Sequence, residues 1–394
     1  MKVIEGKYNN AVIFTDNIEE KAAQQIKELC NQRFASGSRI RIMPDAHAGA
    51  GCTIGTTMTI QDKIVPNLVG VDIGCGMHVS RIKRTKVDFT RLDRVIRAYV
   101  PSGFSVRAVP HEYNACVDID KLHCKQHLNL ERARLSIGTL GGGNHFIEIN
   151  LDGNDNLYLV VHSGSRYLGK QIAEYYQEVA ARTISQHVCE ETINRLKAEG
   201  RQKEIQKYLK QAKAAVGKDL AYLKGEAFTT YVHDMRIAQK YAEYNRKAIA
   251  EVITREMGFQ VEGNFSTIHN YIDLDNMILR KGAISAKAGE VVIIPINMRD
   301  GSIIAVGKGN EEWNQSAPHG AGRLMSRMQA RRALSLEDFK RSMAGIYTTS
   351  LSKDTLDEAP SAYKPMDEIM ANMEPTVEIH TTIRPIYNFK ASGD

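Results

Sequence analysis

The stretch VGVDIGCGMH, residues 69–78, sets a carboxylate (Asp72) and a thiol (Cys75) three positions apart among glycines and small apolar residues. Such a turn is either a buried strand end with a stray thiol or half of an ion site. Four histidines sit at the ends of apolar runs, each beside a small or amide residue: Asn144-His145, His162-Ser163, His269-Asn270 and His319-Gly320. One such histidine is ordinarily structural. The repetition matters, because strand ends fix side-chain direction and the adjoining loops collect ligands. Asp72, Cys75, His145, His162 and His269 make a mixed O/S/N donor set suited to Mn²⁺, Fe²⁺, Co²⁺ or Zn²⁺. Five donors exceed a tetrahedral site. If all bind, two adjacent ions sharing one ligand fit better than one, an arrangement used in phosphoryl chemistry.

The segment NQSAPHGAGRLMSR, 314–327, surrounds His319 with glycines and adds Arg323 and Arg327. It reads either as a helix start with a buried histidine or as a histidine nucleophile beside phosphate-binding groups. KGNEE and SAKAGE are further glycine turns. No P-loop, GxGxxG, CxxC or HExxH motif is present.

The elements that must position these groups follow from pattern. YNNAVIFT predicts an edge-like strand, and the run 17–33 a helix capped by Asp16 or Asn17. RIRIMPD, TIGTTMTI, KIVPNL and GMHVSRI are short strands punctuated by glycine. A helix is expected within 83–100, and an irregular stretch at 101–128 holding His111, His123 and His127. LSIGTLGGGNHFIEIN and LYLVVHSGSR read as apolar strands opening into loops. Residues 168–256 predict charged helices, in part a solvated amphipathic hairpin or an RNA-facing surface. Strands return after 257, a helix is expected over about 319–332, and TIRPIYNFK is extended. The reading is α+β: one large domain over 1–394, mixed sheets around a metal-binding cleft, with 168–256 a helical insertion.

Composition narrows the class. The 394 residues are 43% hydrophobic, enough for a sizeable core. Fifty-two basic against 46 acidic residues give a net charge of +6, permissive of an anionic partner. MKVIEGKYNN is polar and no 18-residue apolar run occurs, so no membrane span and a cytoplasmic setting are expected. Six scattered cysteines read as reduced thiols.

The ordered series MPDAHAG (43–49), VGVDIGCGM (69–77), GGGNHF (141–146), VHSGSR (161–166), HN (269–270), RKGAISAKAG (280–289), GKGNEE (307–312), HGAGR (319–323) and EAPSAYK (358–364) resembles the RtcB family of RNA ligases. The resemblance runs over nearly the whole chain. It implies joining of an RNA 3′-phosphate or 2′,3′-cyclic phosphate end to a 5′-hydroxyl end, with GTP and two Mn²⁺ ions, in tRNA splicing or RNA repair. By the same resemblance His319 carries GMP covalently, and Gly320 lies beside it. Asp72, Cys75, His145, His162 and His269 match the metal ligands, with Cys75 the bridge. Asn144 and Asn270 match phosphate contacts, while Glu148, Ser285, Tyr363 and Lys390 match the guanine pocket. Asp45 and His47 are expected near the metals or the RNA end. The chain departs from the family pattern at Ser316-Ala317-Pro318, where Cys-Ser commonly precedes the histidine, at His78, and in lacking a lysine in MPDAHAGAG. A monomer or weak oligomer is expected. The alternative activity is a metal-dependent phosphodiesterase that opens cyclic ends without ligation.

Overall fold

The computed structural model describes residues 1–215 and 217–391. Two sheets organise them. A six-stranded sheet runs in the order Lys2–Glu5, Asn10–Ile13, Ile40–His47, Ile54–Thr59, Ile278–Lys281 and Asn270–Asp273. A larger sheet runs Val261–Ile268, Gly76–Ile82, Leu157–Ser163, Phe146–Leu151, Val377–Lys390, Gly301–Gly307 and Val291–Asn297, with Tyr347–Thr348 beside Val377–Lys390. The α+β reading with mixed sheets holds.

Leu157–Ser163 is buried at every position, as its unbroken apolar run requires of a central strand. Helix Glu226–Met257 packs behind it. Its buried phase includes Tyr241, Ala242, Asn245, Ala248, Ile249, Val252 and Ile253, the spacing of one helical stripe. Helices Arg166–Ala198 and Ile205–Ala215 form a hairpin, its turn held by Arg201 through Glu199, Glu204 and Tyr208. Among the described residues no helix is long and apolar enough to cross a membrane.

Three expectations shift. The Asn10–Ile13 strand is interior; Lys2–Glu5 forms the edge, because Ala11–Ile13 pair in parallel with Ile40–Ile42. The first helix starts at Glu20, not after Asp16 or Asn17. Asn17 instead uses its N–H on the Thr15 hydroxyl, and Glu19 accepts from the Ala48 N–H. The third concerns the segment around His319. The helix there begins only at Arg327, under a Ser326–Gln329 capping box. Upstream, the N–H groups of His319 and Gly320 go to Asp45, and the Leu324 N–H goes to the Ala362 carbonyl in place of Gly320, so no helix runs on from His319.

Candidate active site

Sheet register assembles four of the five donors, all but Asp72. Met77 and Phe146 both pair with His162. Cys75 and His145, each one residue before its strand, therefore flank the end of Leu157–Ser163. Ile268 pairs with Gly76, which sets His269 beside Cys75, and the His269 N–H donates to the Cys75 carbonyl at 2.9 Å. His269-Asn270 is also where the chain leaves the large sheet for the small one. For His145 the expected order is reversed: the glycines precede the strand. Gly164 has a steric reason, since a Cβ there would collide with the Asp72 carboxylate.

Two triads result, Cys75–His162–His269 and Asp72–Cys75–His145, and both contain Cys75. Cys75 Sγ lies 3.4 Å from Nε2 of both His145 and His162. His162 Nε2 is 3.3 Å from His269 Nε2, and His145 Nε2 is 3.1 Å from Asp72 Oδ2. A carbonyl only accepts, so His162 Nδ1–H donates to Asn144 O (3.1 Å) and its Nε2 carries a lone pair. His145 Nδ1 likewise reaches Leu140 O at 2.9 Å, nearer than the Arg166 guanidinium at 3.2 Å. Lone pairs thus converge on one another, and only shared protons or cations reconcile them. His269 Nδ1 is buried without a partner. Burial first, then neighbouring imidazoles, hold His162 and His269 well below the ordinary histidine range, leaving them neutral. Burial opposes ionisation of Asp72, but a proton shared with His145 Nε2 and the Arg166 charge outweigh it and lower its pKa. Burial, then Asp72, push the Cys75 thiol well up; a cation at the sulfur is what would make it a thiolate. The donor set therefore fits divalent ions.

His319 stands next to this cluster, its ring centroid 4.9 Å from that of His269. Pairing of Ala283–Ser285 with Ser316–Pro318 delivers it there. Asp45 holds it three ways: Oδ2 accepts His319 Nδ1–H at 2.6 Å and the N–H groups of His319 and Gly320 at 3.0 and 3.2 Å. Nε2 is left with the free lone pair, and the side chain is 20% exposed, open to the cleft. Asp45 is thus an anchor for His319, while His47, held at 3.0 Å from the Asp45 carbonyl, lines the wall.

The cleft runs from His162 and His269, past His319 and Gly320, to Glu148, Glu358, Tyr363 and Lys390, with Asn144 on its wall. Glu358 is the hub of the far end. Its Oε2 accepts Tyr363 O–H at 2.6 Å and Lys390 Nζ at 2.7 Å, and its Oε1 pairs with Arg327 at 2.8 Å. Burial works against its charge, but Lys390 and Arg327 hold its pKa down to about 2. Glu148 is bound by Asn388 at 2.7 Å, yet burial pushes it up to about 7.

Not every expected residue reaches the cleft. Ser285 Oγ donates to Glu290 at 2.5 Å and does not line it. Asn270 is a brace: its Nδ2–H donates to the Asp72 carbonyl and its Oδ1 accepts the Gly282 N–H. Arg323 and Arg327 line the cleft, but their charge is already shared with Asp357 and Glu358. His78 pairs with the Ser266 hydroxyl at 3.0 Å, outside the metal cluster. Three residues escaped the sequence reading. Glu358 lay unremarked in EAPSAYK. Arg166 closes VHSGSR and is held at a left-handed φ of 58° against His145. Arg246, fully buried, donates to the carbonyls of Gly74 and Ser163 at 2.7 and 2.9 Å, fixing the backbone behind Cys75 and His162. Its signal was available: Asn245 and Arg246 fall in the buried phase of an otherwise apolar helical stripe.

Fold and site together define a metal-binding cleft with an oriented histidine in its wall. Comparison with known proteins narrows this further. The family model described as tRNA-splicing ligase RtcB matches residues 25–126 and 107–391. The RNA-splicing ligase RtcB of Escherichia coli K12 is 33% identical over 408 residues, covering 94% of either chain. The tRNA-splicing ligase RtcB of Nanoarchaeum equitans is 27% identical, covering 84% of this chain and 83% of its own. The chain belongs to the RtcB family.

Proposed function

We propose that this protein is a GTP- and Mn²⁺-dependent RNA ligase. It joins a 3′-phosphate or 2′,3′-cyclic phosphate end to a 5′-hydroxyl end, on cleaved tRNA or damaged RNA. The observation that carries the reading is His319: its Nδ1–H is donated to buried Asp45, and its Nε2 lone pair faces the cleft beside the converging metal donors.

The chemistry follows from these positions. His319 Nε2 attacks the α-phosphorus of GTP; the N–P bond forms, the bond to the bridging oxygen breaks, and pyrophosphate leaves. Asp45 stabilises the positive charge that develops on the ring, as a carboxylate behind a catalytic imidazole does. The RNA 3′-phosphate then takes GMP from His319, and the 5′-hydroxyl displaces GMP to close the phosphodiester. Cyclic ends are first opened by hydrolysis. Two Mn²⁺ ions, held by Asp72, Cys75, His145, His162 and His269, would supply the positive charge that stabilises phosphate oxygens. At the far end Glu148 offers acceptors to the N–H edge of guanine, with Lys390 and Tyr363 placed by Glu358 around it. The whole chain acts as one catalytic unit, working in the cytoplasm as a monomer or weak oligomer.

Labelled GTP and Mn²⁺ should label the chain covalently, and His319→Ala should abolish the label. Label persisting in His319→Ala would overturn the assignment. Metal-dependent opening of cyclic ends, with no label and no joined RNA, would instead establish the phosphodiesterase.

A further inference from the structure

The irregular stretch 101–128 meets helix Glu226–Met257 at a second group of donors, none of which lines the cleft: His123, His233 and Asp234. One ligand atom from each lies within 4.8 Å of the other two. His233 Nδ1 stands 3.0 Å from Asp234 Oδ1. The rings of His123 and His233 meet edge-on, centroids 4.7 Å apart. Asp234 is fully buried and its position is set by backbone N–H groups and a tyrosine hydroxyl. It accepts the N–H groups of His123 and Cys124 at 2.8 and 3.0 Å and the Tyr176 hydroxyl at 2.8 Å. The imidazoles, by contrast, are open to water, which gives an ion an entry path and leaves room for water ligands.

We propose that His123, His233 and Asp234 bind a divalent cation of the imidazole-preferring class, Zn²⁺, Co²⁺ or Ni²⁺, and so clamp 101–128 to the helix. Two ligands each about 2.1 Å from one ion stand about 3.0–3.4 Å apart, and the His233–Asp234 separation already has that length. Two imidazoles and a carboxylate with open positions are a complete protein contribution to such a site. The donor set lacks a thiolate, which separates it from the Cys75 cluster. The clamped helix is the one whose Asn245 and Arg246 hold the backbone behind the cleft. A hydrogen bond from His233 Nδ1–H to Asp234 explains the 3.0 Å contact without a metal, and the two accounts part under test.

Co²⁺ is the probe, with the full chain in a Cys75→Ala background to remove the ligand common to both cleft triads. Equilibrium dialysis should find one Co²⁺ equivalent fewer per chain after His123→Ala, and again after His233→Ala, at unchanged circular dichroism. Added Zn²⁺ should raise the melting temperature of the Cys75→Ala protein but not of either double variant. An identical Co²⁺ count in all three proteins, or no Co²⁺ bound in Cys75→Ala, would overturn the proposal.

Discussion

The two ends of the cleft are built on opposite principles. At the metal end, Cys75, His145, His162, His269 and Asp72 aim lone pairs at one another, and His269 Nδ1 has no partner at all. At the far end, Glu358 is matched by Lys390, Tyr363 and Arg327 within 2.8 Å. The first is electrostatically incomplete and calls for cations; the second is already neutralised by its own ion pairs. His319 lies between them. The asymmetry has an energetic reason: uncompensated buried charge is costly, so donors left unpaired at one end favour binding positive ions there.

The contrast can be broken, beginning with its most sensitive point. Cys75→Ala removes the donor common to both triads. Loss of Mn²⁺ affinity and of ligation should exceed the roughly 10–100-fold typical of substituting a residue behind the ligands. Isothermal titration with Mn²⁺ alongside a joining assay reads both. Next comes the hinge between the ends. Asp45→Asn keeps the shape but no longer fixes the His319 tautomer, so the rate of guanylylation should fall by about 100-fold or more while Mn²⁺ titration is unchanged. Single-turnover labelling measures it. The mildest test addresses the far end through pH. The folded-state pKa of Glu148 lies at about 7, above its unfolded value of 4.5, because burial disfavours the charge. Its protonated form is therefore fully accommodated below about pH 4.5, and stability is lost as pH rises through 7. Glu148→Gln cannot ionise. Relative to wild type it should gain about 3 kcal/mol between pH 4.5 and 8. Urea unfolding at the two pH values reads this, and a flat difference would show that burial leaves the Glu148 pKa at its unfolded value.

How much of this was legible in the sequence differs between the same two ends. The metal donors stand out because their neighbours leave few options: strand-end histidines next to Asn, Ser or Gly, and a carboxylate with a thiol in a glycine turn. Strand register then does the rest, and one residue of slippage would turn each donor to the other face. The far end was harder. Glu358 acts through tertiary partners at 363, 390 and 327, and nothing local distinguishes it from a solvated loop acid. The helix expected at His319 failed for a related reason. The Leu324 N–H, which such a helix would direct to Gly320, goes instead to the distant Ala362 carbonyl, and local propensity carries no knowledge of that competitor. Arg246 was masked by the charged residues around it, although its helical phase marks it as buried. Ser285 had the right motif but turns to Glu290.

The dipeptide His269-Asn270 gives the protein a built-in gauge of its own integrity. Its first residue ends a strand of one sheet and supplies a metal donor; its second begins a strand of the other and braces the turn that carries Asp72. Any parting of the sheets must pull directly on this joint. Warming should therefore disturb the metal donors before it dissolves the fold.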